Sequence, residues 1–149
     1  MQGQLYIIFL SLLQPFQTFN YWQAAEKTLQ FYDAQRNGYL PNDRTTCWRY
    51  HSFLQDKGEN CEDLTGGWMD AGDFIKYNLP MSAATTMLAL GGMYYKEHYL
   101  KAQLFDKLLY TIKSPLNYFM KCYINENLIY GQCGTGEVDH AYMSTPEDS

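Results

Sequence analysis

Asp70 and Asp73 stand three residues apart in the stretch GGWMDAGDFIKYNLPM, between a glycine pair and a proline. Two carboxylates at that spacing, with only Ala71 and Gly72 between them, can share one locale, and their repulsion raises the pKa of one of them. Such a pair can hold a water and take its proton. The competing reading is local: aspartates commonly accept backbone N–H groups in tight turns and at helix starts, and the tetrapeptide alone favours that reading. The pair also lies in the most aromatic part of the chain.

Composition narrows what such a pair could serve. The chain has 149 residues, enough for one domain with a real core, and it is 46% apolar. Its 14 Tyr, 8 Phe and 3 Trp exceed what packing needs and suggest a surface that stacks on something. Sixteen acidic against 11 basic residues give a net charge of −5, with no Lys/Arg cluster, so the electrostatic footprint of a nucleic-acid partner is missing. The apolar run from Leu5 to Leu13 is too short to span a bilayer and sits where a secretory signal has its apolar region. Residues 1–18 are therefore expected to be a signal peptide and residues 19–149 the working domain, although no Lys or Arg precedes the run. In a secreted chain Cys47, Cys61, Cys122 and Cys133 permit disulfides, Cys47 with Cys61 and Cys122 with Cys133 being the preferred of three pairings. None of them shows the CxxC spacing of a zinc site, so the metal reading is weak, and no cofactor is expected.

The elements that must carry the aspartates are helical. In NYWQAAEKTLQFYDAQ, residues 20–35, Tyr21, Ala24, Ala25, Thr28 and Tyr32 form one stripe, the pattern of an amphipathic helix ended by Gly38. Residues 37–66 have turn punctuation and no period, which predicts a long irregular segment of the kind that usually has a function. A second helix is expected from about Ser82, as N-cap, to His98, with Ala84, Met87, Leu88 and Tyr95 on one face. Leu104, Phe105, Leu108, Leu109, Ile112, Leu116, Phe119 and Met120 predict a third, interrupted at Pro115. The tail from Asn125 reads as loop, and no strand-forming alternation is long enough for a sheet. Three helices joined by long aromatic loops look like part of a larger all-α fold.

Four blocks carry a resemblance. YDAQRNGYLP (32–41), CWR (47–49), DLTGGWMDAGDFIKYNLPM (63–81) and YGQCGTGEVDHAYMSTPED (130–148) together resemble the amino-terminal part of the family nine glycoside hydrolases, the endoglucanases or cellulases, and above all their animal members. The resemblance implies a partial α/α six-hairpin barrel with a cleft across one end, and hydrolysis of internal β-1,4-glucosidic bonds with inversion. Inversion needs a base that activates water on one face of the sugar and an acid that protonates the leaving oxygen, about 6.5–9.5 Å apart. By the resemblance Asp73 is that base, Asp70 helps to hold the same water, and His140 hydrogen-bonds the sugar. Trp68 and Tyr77 suit pyranose rings, whose C–H faces stack on aromatics, and Arg49 matches an arginine near the cleft floor. Each of these has a plainer reading as core, loop or turn-capping residue.

Departures from the family qualify the match. Its WRGDS is WRYHS here, and Met69 and Met143 stand where aromatics are usual. The family's acid glutamate lies later in the domain than Ser149, and Glu147 belongs to a different motif, so this stretch alone is expected to be a poor catalyst. Two other readings stay open: a non-catalytic carbohydrate-binding protein, and a calcium or turn-capping cluster of Asp70, Asp73 and Glu62 or Asp63 without regular ligand spacing.

Overall fold

A computed structural model describes residues 19–141 and 144–148. The signal-peptide expectation for residues 1–18 and the substitution at Met143 lie outside the described residues. Five helices, the last a single turn, four very short strands and one 3-10 turn follow one another along the described residues. Helix α1 spans Tyr21–Ala34, strand β1 Lys76–Tyr77, α2 Asn78–Tyr94, α3 Lys96–Lys101 and α4 Phe105–Cys122. Strands β2 (Tyr123–Asn125), β3 (Leu128–Ile129) and β4 (Gln132–Cys133) then lead to a single helical turn, α5 (Gly136–Asp139), and a 3-10 turn at Pro146–Asp148. Strand β1 pairs antiparallel with β4, and β2 with β3.

Asn20 caps α1 by accepting the Gln23 N–H, which satisfies one of the helix's orphan donors. The face that α1 buries is rotated from the expected stripe. Tyr21 is exposed, whereas Leu29 and Asp33 are buried. The rotation has a polar cause: Asp33 Oδ2 accepts both the amide and the hydroxyl of Thr45, at 2.9 and 2.6 Å, and Arg36 lies 3.4 Å from Oδ1. A pattern that counts only apolar residues cannot see a buried carboxylate that has partners.

Helix α2 starts at Asn78, earlier than expected, because a proline is tolerated in a first turn whose N–H groups have no intrahelical acceptor. Ser82 is therefore inside the helix, and its hydroxyl donates to the Leu79 carbonyl. Met81 and Thr85 are buried while Met87 is exposed, so the inward face is again shifted from the expected one. The helix ends at Tyr94, and α3 makes the corner. Helix α4 runs unbroken through the buried Pro115, where an interruption was expected. Packing against α2 and α1 outweighs the one missing backbone bond.

Leu64, Trp68, Met81, Tyr118 and Cys122 form one core cluster, and Leu29, Leu104 and Leu108 a second, both between α4 and its neighbours. The long segment from Arg36 to Ile75 crosses over them, stitched by isolated bridges at Arg36–Trp68, Gly38–Ser52 and Lys57–Asp63. Gly38 is where that segment turns back. Its φ is +77°, and a Cβ there would sit 2.7 Å from the Gly66 amide nitrogen. Gly38→Ala is expected to lower stability by about 2 kcal/mol, since backbone in the left-handed region is costly for alanine and the obstacle is itself backbone. Gly72→Ala, where a Cβ meets nothing within 4 Å, should leave the urea midpoint nearly unchanged and serves as its control.

A second test concerns acid. Asp63 is drawn upward by partial burial, but the Thr65 hydroxyl and amide and the Lys121 ammonium outweigh this and bring its pKa down to about 2. A depressed carboxylate stabilises the folded chain above its ordinary value and loses that contribution as pH falls toward 2. Thermal midpoints of the wild type and Asp63→Asn should therefore differ at pH 6 and converge near pH 2. A constant difference across that range would remove Asp63 from the acid response.

The four cysteines are free thiols, so neither expected pairing, Cys47 with Cys61 or Cys122 with Cys133, is formed. Cys122 and Cys133 nonetheless belong to one packed cluster, whereas Cys47 and Cys61 are both exposed on the long segment.

Candidate active site

The aspartates sit on a tight turn just before β1. Asp70 donates its N–H to the Ile75 carbonyl at 3.0 Å, and Asp73 donates its own to the Asp70 carbonyl at 2.9 Å. Ala71 takes φ +47°, so the chain reverses within four residues and the two aspartates line recesses on either side of the turn. Asp70 lines a recess of about 300 Å³ with Phe31, Gln35, Trp68 and Tyr77. Asp73 lines a larger, more open one of about 810 Å³ with Asp139 and His140.

A second loop meets this turn from the far end of the chain. Pairing of β1 with β4 sets Lys76 opposite Cys133 and Tyr77 opposite Gln132. The Asn78 N–H donates to the Gly131 carbonyl at 3.0 Å, and the Asn78 side-chain amide donates to the Tyr130 carbonyl at 2.5 Å. Held so, α5 lies against the aspartate turn, and Asp139 Oδ1 accepts the Phe74 N–H at 2.7 Å. His140 follows at the end of α5, its Nε2 3.6 Å from Asp73 Oδ1 and 3.6 Å from Asp139 Oδ2.

The residues singled out from sequence are thus distributed unevenly. Asp73 and His140 come together at the open recess, and Asp70 and Tyr77 at the adjoining one. Trp68 backs that second recess but is only 3% exposed, with its ring 4.8 Å from that of Tyr32 in the core cluster. Arg49 is buried, and its guanidinium is used on the Glu147 carboxylate at 2.6 Å, the Ala34 carbonyl and the Ser52 hydroxyl. Burial would push the Glu147 carboxyl up, but Arg49 and the Tyr50 amide hold it below the usual carboxylate range, which makes it a poor proton donor.

The cluster of Asp70 and Asp73 with Glu62 or Asp63 is not formed. Glu62 accepts the Tyr130 hydroxyl and the Asn60 amides, and Asp63 is engaged by Thr65 and Lys121, both away from the aspartate turn. Sequence reasoning missed Asp139. Its signal was present beside His140 in VDHAY, but nothing local says that its carboxylate reaches back to the amide of Phe74.

The helices of this chain form part of an α/α barrel, the class of fold to which similar solved endoglucanase structures belong. Its structure superposes on the endoglucanase of the termite Nasutitermes takasagoensis with a TM-score of 0.86 at 41% identity, over 89% of this chain and 31% of that one. It also matches endoglucanase CelQ of Clostridium thermocellum, solved with cellotetraose, with a TM-score of 0.79 at 29% identity over 87% of this chain and 20% of that one. In sequence it is 40% identical over 130 residues to Endoglucanase A of Bacillus pumilus, covering 87% of this chain and 20% of that protein. The profile of Glycosyl hydrolase family 9 matches residues 21–149. The chain belongs to this family, and it spans about a fifth of the length of the Bacillus relative.

Proposed function

We propose that residues 19–149 form the amino-terminal part of an inverting endo-β-1,4-glucanase catalytic domain, in which Asp73 is the general base. The observation that carries this reading is the meeting of Asp73 and His140, from distant loops, at one open recess. A water held over the turn loses its proton to Asp73 as it attacks the anomeric carbon, and Asp70 positions that water from the other side of the turn. His140, 70% exposed, offers its imidazole to a sugar hydroxyl. Tyr77 gives the adjoining recess its accessible aromatic face and Trp68 backs it from the core, while Arg49 serves structurally, through Glu147, the Ala34 carbonyl and Ser52.

The substrate is a β-1,4-glucan or its oligosaccharides, in keeping with the cellotetraose complex of the Clostridium relative. The proton donor comes from a later part of the domain, since Glu147 is held ionised by Arg49. Residues 1–18 act as a secretion signal, which would bring the enzyme to an extracellular polymer too large to enter a cell. Among the described residues no helix is long and apolar enough to cross a membrane.

The test is reducing-end release from a soluble β-1,4-glucan by this chain joined in frame to the later helices of the termite endoglucanase. Turnover is the expected result. Retention on the polymer without turnover would favour the carbohydrate-binding alternative.

A further inference from the structure

Asp73 Oδ1, Asp139 Oδ2 and His140 Nε2 converge beside the open recess, all within 4.8 Å of one another. The imidazole nitrogen is 3.6 Å from each carboxylate oxygen. That is too long for a hydrogen bond, which needs about 2.7–3.2 Å. It does match the edge of a coordination tetrahedron, because metal–nitrogen and metal–oxygen bonds of about 2.0–2.2 Å place neighbouring ligand atoms about 3.3–3.6 Å apart.

Asp139 is already oriented for such a role. Its Oδ1 is tied to the Phe74 N–H at 2.7 Å, and this leaves Oδ2 turned toward His140. An outer hydrogen bond of this kind is what fixes a ligating carboxylate. The Asp139 side chain is only 10% exposed, whereas those of Asp73 and His140 are 36% and 70% exposed and open on the recess. A fourth coordination position would therefore face solvent.

We propose that Asp73, Asp139 and His140 form a three-ligand site for a divalent transition cation of the zinc type, and that its occupancy blocks hydrolysis by engaging the Asp73 carboxylate. One imidazole with two carboxylates suits zinc or cobalt, whereas calcium takes six to eight oxygen ligands and magnesium a near-octahedral oxygen shell. The blocking of hydrolysis rests on the reading of Asp73 as base; the binding of the cation does not.

Cobalt(II) is the probe, added to the 149-residue chain with far-UV circular dichroism as the check on folding. One equivalent should bind with the visible absorption of a low-coordinate site, and zinc should displace it. His140→Ala, a change at an exposed side chain, and Asp139→Asn, which keeps the acceptor for Phe74, should each weaken binding at least tenfold. Native helicity without binding overturns the proposal, as does affinity unchanged in both variants. A near-ultraviolet thiolate band that vanishes with Cys47→Ser or Cys61→Ser would put the ion on cysteine and also overturn it. If cobalt binds as expected while Asp73→Asn leaves turnover of the joined catalytic domain intact, the site stands and the assignment of the base fails.

Discussion

Asp73→Asn in the joined catalytic domain should lower kcat by about a hundred- to ten-thousand-fold, the usual worth of a positioned proton acceptor. KM should change little. The amide keeps the shape of the carboxylate and the Asp73 N–H still donates to the Asp70 carbonyl, so the turn has no reason to rearrange. What is lost is the basic lone pair, and with it the means to take a proton from the attacking water. Asp70→Asn should cost less, because it alters how the water is held rather than where its proton goes. Wild-type turnover in Asp73→Asn, read from reducing ends with helicity unchanged, would dismiss Asp73 as base.

Lys76→Ala carries the largest expected loss of stability, about 3 kcal/mol or more. Lys76 is 1% exposed, immediately after the aspartate turn. Its ammonium pairs with Asp56 at 2.6 Å, donates to the Leu64 carbonyl and lies 4.8 Å from the centre of the Tyr118 ring. Removing it strands a carboxylate that is 79% covered, orphans a carbonyl and empties the space of the side-chain stem. Lys76→Met refills that space but restores no charge, so it should recover only part of the loss in urea unfolding. If both variants unfold within about 1 kcal/mol of the wild type, the buried ion pair contributes nothing that water cannot replace.

The helices were legible because apolar spacing records which residues face a neighbour, and α1, α2 and α4 all lie where that spacing points. What it misjudged was rotation and endpoint. Asp33 buries itself through Thr45 and Arg36, Pro80 falls inside a first turn, and Pro115 is carried through by packing. The catalytic proposal was legible in a different way. DAGD and VDHAY are short strings whose residue types suit one chemistry, and resemblance to a family gave them roles. Their meeting was not legible, since it depends on β1 pairing with β4 and on Asp139 reaching the Phe74 amide, contacts between loops far apart in the chain. The cation site was invisible for the same reason: its three ligands have no regular sequence spacing.

The tie between Arg49 and Glu147 joins residues 98 positions apart. During synthesis the early helical hairpin can dock as soon as α4 has left the ribosome, but the guanidinium of Arg49 must wait until Glu147 has also emerged before its carboxylate arrives. Until then a cation sits in the long segment without its counter-charge, so this tie closes after the hairpin has docked. Ribosome-bound chains stalled with α4 outside the exit tunnel and Glu147 still within it should accordingly be cut by protease in the long segment around Arg49 while α2 and α4 resist.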